Sequence, residues 1–172
     1  MRVCALLGLA STILIAESVA GLSWTAPAGW KTERPANSMR AATYSMAPAA
    51  GDRDPAECVV YFFGPGQGGS VEANMDRWKD QVRGPGGKPA EAKIARRTIH
   101  GLTVTTIDTS GDYNGMNGPM TPRPMLKPGY RLMGAIVEGP QGNVFLKFSG
   151  PAATVGANAR RFEQLLESFH RQ

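Results

Sequence analysis

The chain has 172 residues, of which 42% are hydrophobic and 19% charged, and its formal net charge at pH 7 is +5. This length suits one domain with its own core, and two cysteines are too few for a disulfide-stapled scaffold. The basic balance favours either acidic partners or simple solubility. The adjacent basic pairs, Arg96-Arg97 and Arg160-Arg161, lack the interleaved aromatic residues of an RNA-binding sheet, so we expect no nucleic-acid partner.

The first twenty residues have the layout of a secretory signal peptide. Arg2 supplies a positive start, residues 3–16 are mostly apolar, and small residues stand at Ser18 and Ala20. The apolar run is too short and too interrupted for a membrane span of about 20 residues. We therefore expect cleavage after Ala20 and export to the periplasm or beyond.

The remaining residues, 21–172, predict a single exported domain with no membrane span. Cys58 is the one cysteine of this part, so no disulfide within the chain is expected. It begins an apolar run, and a free thiol there behaves as a small buried hydrophobe.

The first half of this domain predicts strands followed by a helix. An extended segment, two strands and a glycine-rich loop follow one another at 22–30, 39–46, 57–63 and 64–69. Four apolar residues then recur at steps of four, three and four, which predicts one face of an amphipathic helix capped by Ser70. They are Val71, Met75, Trp78 and Val82.

The second half predicts two hairpins and a closing helix. Strands at 93–99 and 102–109 meet at His100-Gly101, and strands at 130–137 and 144–149 are joined by a five-residue loop. Between the hairpins, 110–129 is a long irregular stretch, and a helix occupies 154–169. Tight turns imply antiparallel pairing, so the fold class is α+β: an antiparallel sheet of about six strands flanked by two main helices.

Two sets of residues give this order of elements a family resemblance. They are Trp24, Pro27, Gly29 and Trp30 at the start, and Phe145, Lys147, Phe148, Gly150 and Pro151 near the end. With the terminal helix, they resemble the PsbP-like or Mog-like α/β sandwich family. The resemblance implies a binding or assembly protein, and it carries no shared set of catalytic residues.

The motifs that could carry chemistry are weak. The glycine-rich loop at 64–69 lies between a strand and a helix, where phosphate loops occur, but no lysine follows Gly69, so a plain connector is favoured. Neither His100 nor His170 belongs to a recognisable catalytic arrangement. We therefore expect no enzymatic activity, no resident cofactor and no metal site built from histidines.

Three methionines in the irregular stretch, Met116, Met120 and Met125, are open to two interpretations. Loop methionines make soft, adaptable surfaces for a protein partner, and their thioethers also suit Cu(I).

We expect an exported, non-enzymatic binding or envelope-assembly protein with a protein partner in the cell envelope. Its predicted contact residues are Tyr113, Met116, Met120, Met125, Gly66 and Gln67. The alternative is a periplasmic carrier of a small ligand, or of Cu(I) held by the methionine-bearing loop.

Overall fold

The computed structural model describes residues 16–115 and 126–172. In these ranges the strands are β1 (Ala16–Val19), β2 (Leu22–Thr25), β3 (Lys31–Glu33), β4 (Arg40–Met46), β5 (Ala56–Tyr61), β6 (Val82–Arg83), β7 (Ala92–Ile99), β8 (Leu102–Asn114), β9 (Leu126–Gly139), β10 (Gly142–Pro151) and β11 (His170–Arg171). The helices are α1 (Val71–Asp80) and α2 (Ala152–Glu167), with a 3₁₀ turn at Pro85–Gly87.

Eight of the strands form one antiparallel sheet in the order β3-β4-β5-β10-β9-β8-β6, with β7 also paired to β8. The predicted α+β class with two helices is confirmed. The predicted count of six strands is wrong, because β3 and β6 have three and two residues. Strands that short show no alternation of apolar and polar residues by which a sequence could reveal them.

A second, smaller sheet has three antiparallel strands in the order β1-β2-β11. It brings the start of the described chain beside its end. The rings of Trp24 and Phe169 stack there, with centroids 5.0 Å apart and planes 13° from parallel. β1 lies within the residues that we predict to be a leader.

Each face of the large sheet carries its own hydrophobic core, because successive side chains of a strand point to opposite faces. Along β10, Leu146 and Phe148 join the larger core, which α2 and the small sheet cover. Phe145 joins the smaller core beneath α1. There the Trp78 ring lies against Gly134, where a Cβ atom would come within 2.5 Å of it.

The long strands extend further than predicted into the stretch 110–129. β8 continues to Asn114 and β9 begins at Leu126, with a shift of register between Gly111 and Tyr113. A side chain at Gly111 would collide with the Arg83 carbonyl oxygen, 2.2 Å from the ideal Cβ position, so glycine lets β6 pass there.

Two further predictions are corrected. The loop between β9 and β10 is the two-residue turn Pro140-Gln141 rather than five residues, because the flanking glycines and Asn143 pair within the ladder. Val82 does not belong to the helical face, since α1 ends at Asp80 and Val82 lies buried in β6. The cap prediction is confirmed, because the Ser70 hydroxyl accepts a hydrogen bond of 3.1 Å from the Ala73 amide.

Cys58 is fully buried, as predicted, and burial raises the pKa of its thiol. Within residues 16–115 and 126–172, no helix is both long and apolar enough to cross a membrane.

Candidate functional site: a pocket beside helix α1

Helix α1 has ten residues and covers only part of its face of the sheet. Beside it, toward β4, β5 and β10, lies a pocket of about 370 Å³. Its apolar lining comes from Met39, Tyr61, Phe63 and Trp78, and its polar lining from Asn37, Arg40, Asn74, Arg77, Gln81 and Lys147. The pocket therefore combines aromatic walls with three cationic side chains.

Lys147 is the unusual residue of the site, because a central strand places its amine on the α1 face of the sheet. The residue is only 9% exposed. Its Nζ donates to the Gln81 Oε1 atom at 2.5 Å and lies 5.2 Å from the centre of the Tyr113 ring. Burial, together with the nearby positive charge of Arg77, lowers its pKa to about 8.

No carboxylate of the described residues forms an ion pair with Lys147. Buried lysines are ordinarily paired, because an isolated ammonium loses its hydration without compensation. The neutral Gln81 amide oxygen satisfies one of three N–H donors. The amine can therefore accept an anion as a further partner.

Two arginines add positive charge to the same pocket. Arg77 is exposed at the rim and donates to the Asn74 side-chain oxygen. The guanidinium of Arg40 lies 5.7 Å from the centre of the Tyr61 ring and pairs with Glu57 at 3.2 Å. The Nε atom of Arg40 is buried with no hydrogen-bond partner.

The mouth of the pocket is apolar. Met39 is 48% exposed and Phe63 is 36% exposed, and both line the pocket. The Phe63 ring stacks on Tyr61, with centroids 5.8 Å apart and planes 6° from parallel. Large apolar side chains exposed beside a concavity are typical of a surface that binds something.

A smaller cleft of about 160 Å³ continues from Lys147 along the same sheet face. It shares Arg40, Tyr61 and Lys147 with the pocket and adds Glu57, Val59, Tyr113 and Ser149. Burial raises the pKa of the Tyr113 phenol, which stays neutral near pH 7. The cleft thus supplies hydroxyl groups beside the buried amine.

A wider groove elsewhere, of about 900 Å³, is less suited to binding a charged ligand. It lies between the 3₁₀ turn and β7, and its charged lining mixes both signs: Lys88, Glu91, Lys93, Asp108 and Arg131. The last two residues, Asp108 and Arg131, bind each other. These two form a two-pronged ion pair with N–O distances of 2.8 and 2.7 Å. Because that pair satisfies itself, it leaves little for a ligand to complete.

The structure brings one of the predicted contact residues to the pocket region. Tyr113 lies buried in β8 rather than in a loop, and it borders the cleft beside Lys147. Gly66 and Gln67 are exposed in the loop before α1 and do not line the pocket. Met116, Met120 and Met125 lie outside the described residues, and their role stays a prediction.

The sequence analysis did not identify Lys147, Arg40 or Arg77 as site residues. One signal was available for Lys147, since it is a lone charge in the apolar run of a central strand. The arginines gave no such signal, because their convergence depends on the placement of α1 beside β4. Among the described residues, no group of three His, Cys, Asp or Glu side chains could hold a metal ion.

Comparison with known proteins establishes the fold. No family model matches the chain, and no curated protein matches it. Similar solved structures include those of CyanoP, LpqN and PA94. CyanoP, the cyanobacterial PsbP of Synechocystis sp. PCC 6803, has a TM-score of 0.53 and 13% identity, with 100% of this chain and 99% of that chain covered.

LpqN of Mycobacterium tuberculosis, which is involved in cell envelope biogenesis, has a TM-score of 0.55 and 11% identity over 93% of this chain and 86% of that one. PA94 of Pseudomonas aeruginosa, a protein of unknown function, has a TM-score of 0.53 and 13% identity over 92% and 97%. At these identities the likeness concerns the fold alone. The chain has the PsbP-like α+β fold that its sequence resembles.

Proposed function

We propose that this protein is a non-enzymatic binding protein of the cell envelope, and that the pocket beside α1 holds a small amphipathic anion. The observation that carries the proposal is the buried amine of Lys147, whose one hydrogen-bond acceptor among the described residues is the neutral Gln81 side chain. An anionic group on a ligand would supply the missing countercharge.

The lining of the pocket supports an anionic ligand with an apolar part. Three cations face one carboxylate across the pocket and its adjoining cleft, and this positive balance favours a negatively charged ligand. Tyr61, Phe63 and Trp78 offer an apolar surface next to that charge. The volume of about 370 Å³ lies in the range of small-molecule sites, so an acid with a compact ring system or short chain fits.

The envelope location rests on the predicted leader, and LpqN, which shares the fold, is involved in cell envelope biogenesis. The absence of a recognisable catalytic motif favours binding over turnover. A protein partner reached through Gly66, Gln67 and the methionine-bearing stretch stays a separate prediction, as does Cu(I) binding by those methionines.

A matched pair of fluorescent probes tests the pocket. 1-Anilinonaphthalene-8-sulfonate carries one negative charge, and N-phenyl-1-naphthylamine has the same ring system without it. We expect the protein to bind the sulfonate at least tenfold more tightly at pH 7, because a charge-assisted contact to Lys147 is added. Raising the pH from 7 to 9 weakens sulfonate binding, since the pKa of Lys147 is about 8.

The variant Lys147→Met abolishes the preference for the charged probe while leaving the neutral probe bound. Lys88→Met is the control, because Lys88 is exposed and lines the other groove. Lys88→Met also removes one positive charge, but the protein should keep its preference for the sulfonate over the neutral probe. Equal sulfonate affinity in the wild type and Lys147→Met would contradict the proposal.

A further inference from the structure

The outer edge of β2 is covered by a segment that we predict to be removed. β1 pairs with β2 in the register Ala16–Thr25, Glu17–Trp24, Ser18–Ser23 and Val19–Leu22. The tight turn Ala20-Gly21 connects them, with φ angles of 58° and 72°. Cleavage after Ala20 would cut within this turn and separate β1 from the rest of the chain.

β1 contributes a carboxylate to buried hydrogen-bond donors. The Trp24 Nε1 atom donates to the Glu17 Oε2 atom at 3.1 Å, and the Tyr44 hydroxyl donates to the same oxygen. Trp24 also donates to the Tyr44 hydroxyl oxygen at 2.8 Å. Both rings are fully buried. Removal of Glu17 would take away the acceptor of the Tyr44 proton.

Val19 supplies a second contact, because it packs against the larger hydrophobic core. Glu17 and Val19 point inward, whereas Ala16 and Ser18 are exposed, as the two-residue period of a strand requires. The segment seated on β2 therefore presents an acidic residue and, two positions later, an aliphatic one.

We propose that the edge of β2 is a strand-docking site of the processed protein, and that its occupant is an extended segment of a partner protein with this acidic-x-aliphatic pattern. An open strand edge offers unpaired amide and carbonyl groups, and peptide strands bind such edges through main-chain hydrogen bonds. β11 already occupies the other edge of β2 through Leu22 and Ser23, so one side is left for the partner.

The chemistry of the partner segment follows from the groups that the edge of β2 would present to it. The edge presents the Trp24 N–H and the Tyr44 hydroxyl, which both donate to Glu17 and favour a carboxylate. It also presents an apolar surface beside Leu22, which favours an aliphatic side chain. This inference depends on cleavage after Ala20 and not on the pocket beside α1. Failure of either proposal leaves the other standing.

The test begins with the protein recovered after export. Intact mass fixes its first residue, which we expect to be Gly21. A fluorescein-labelled peptide of residues 16–20, AESVA, is then titrated by fluorescence anisotropy. We expect saturable one-to-one binding, with the Glu17→Gln peptide about tenfold weaker because it loses a charged acceptor. The Val19→Ser peptide is weakened similarly.

The variant Ala20→Asn of the full chain is the matched control. Asparagine favours the positive φ of this turn and is larger than the residues accepted before a cleavage site, so β1 stays attached. This uncut chain should not bind the peptide. In the processed protein, Tyr44→Phe should reduce the preference for the Glu17 peptide over its Glu17→Gln form.

Several results would overturn the proposal. One is an exported protein whose first residue lies before Ala16, because β1 would then remain in place. Another is a processed protein that binds neither peptide, or binds both equally. A third is a processed protein that dimerises and loses the dimer when peptide is added, since a second copy would then occupy the edge.

Discussion

At the scale of single residues, Lys147 shows how a candidate binding pocket can reduce the stability of its own fold. Below pH 8 the folded protein keeps a charged amine out of water with a neutral partner, Gln81. The unfolded chain hydrates that amine freely. A ligand anion that pairs with it would recover part of this difference and would stabilise the folded state.

The pH dependence of the free energy of unfolding tests whether burial of the charged Lys147 amine lowers stability. Because the pKa of Lys147 falls from 10.5 to about 8 on folding, the unfolded chain binds more protons between these values and stability rises with pH. We expect Lys147 to contribute a gain of about 2 kcal/mol between pH 7 and 9.5. It is measured by urea unfolding at each pH as the difference between the wild type and Lys147→Met, because ionisation of the unfolded Cys58 thiol lowers the stability of both proteins in the same range.

Lys147→Met should lack this gain and should be at least as stable as the wild type at pH 7. The measurement stops at pH 9.5 because burial raises the pKa of Tyr44, Tyr61 and Tyr113, and ionisation of unfolded tyrosines reverses the trend at higher pH. A wild-type gain that persists in Lys147→Met would assign the effect to other groups.

At the scale of elements, the position of α1 depends on the absence of a side chain at Gly134. The Trp78 ring fills the space of the missing Cβ atom and brings the helix close to β9. This close approach sets the wall of the pocket, because Trp78 and Gln81 both line it. A shift of the helix would therefore change the stability and the pocket together.

Two identical substitutions at different glycines should have opposite effects. Gly134→Ala places a methyl group 2.5 Å from the Trp78 ring, and we expect a loss of about 1–3 kcal/mol. Gly156→Ala lies on the exposed face of α2, with its nearest neighbour at 3.7 Å, and should stabilise by about 0.5–1 kcal/mol. Chemical denaturation measures the free energy of unfolding of both variants. If Gly134→Ala left this free energy unchanged, α1 would be free to move away from β9.

The cap of the same helix gives a smaller effect. Ser70→Ala removes the acceptor of the Ala73 amide and should cost about 1 kcal/mol, whereas Ser70→Asp keeps an acceptor and should cost little. Thermal unfolding of the two variants makes the comparison. Equal losses would mean that the cap bond contributes nothing.

The sequence predicts the elements that carry a clear apolar pattern. The strands around Val59 and Leu146 are nearly continuous apolar runs, the helix through Met75 and Trp78 has one apolar face, and all are present. The three-residue β3 and the two-residue β6 are fixed by pairing with β4 and β8, which no local pattern reveals. Val82 has helical spacing from Trp78, yet its pairing with Tyr113 decides its conformation.

At the scale of the whole molecule, Cys58 reports on global opening. It lies at the middle of the large sheet and is fully buried, and burial raises the pKa of its thiol. We expect the thiol of the processed protein to react with a disulfide reagent only through unfolding, since the thiolate is the reactive form. The labelling rate should follow the stability order of the glycine variants, and fast labelling of the native protein would contradict this.

The sequence predicts the fold class, but it does not predict the candidate site. The order of elements and the aromatic residues near both ends suffice for the PsbP-like fold. The pocket depends on side chains from β4, α1 and β10 that are distant in sequence, such as Arg40, Arg77 and Lys147. Their convergence is a tertiary property, and the one local sign of it is the lone lysine in an apolar strand.

The small sheet also determines how this chain can be circularly permuted. The Gln172 amide donates to the Gly21 carbonyl oxygen at 3.1 Å, so these two positions are neighbours in space. A linker of a few residues could join them, and new ends could be opened at the exposed His100-Gly101 turn. The new ends of such a circularly permuted chain would lie close to the seam, because the His100 Nδ1 atom is 3.0 Å from the Phe169 carbonyl oxygen.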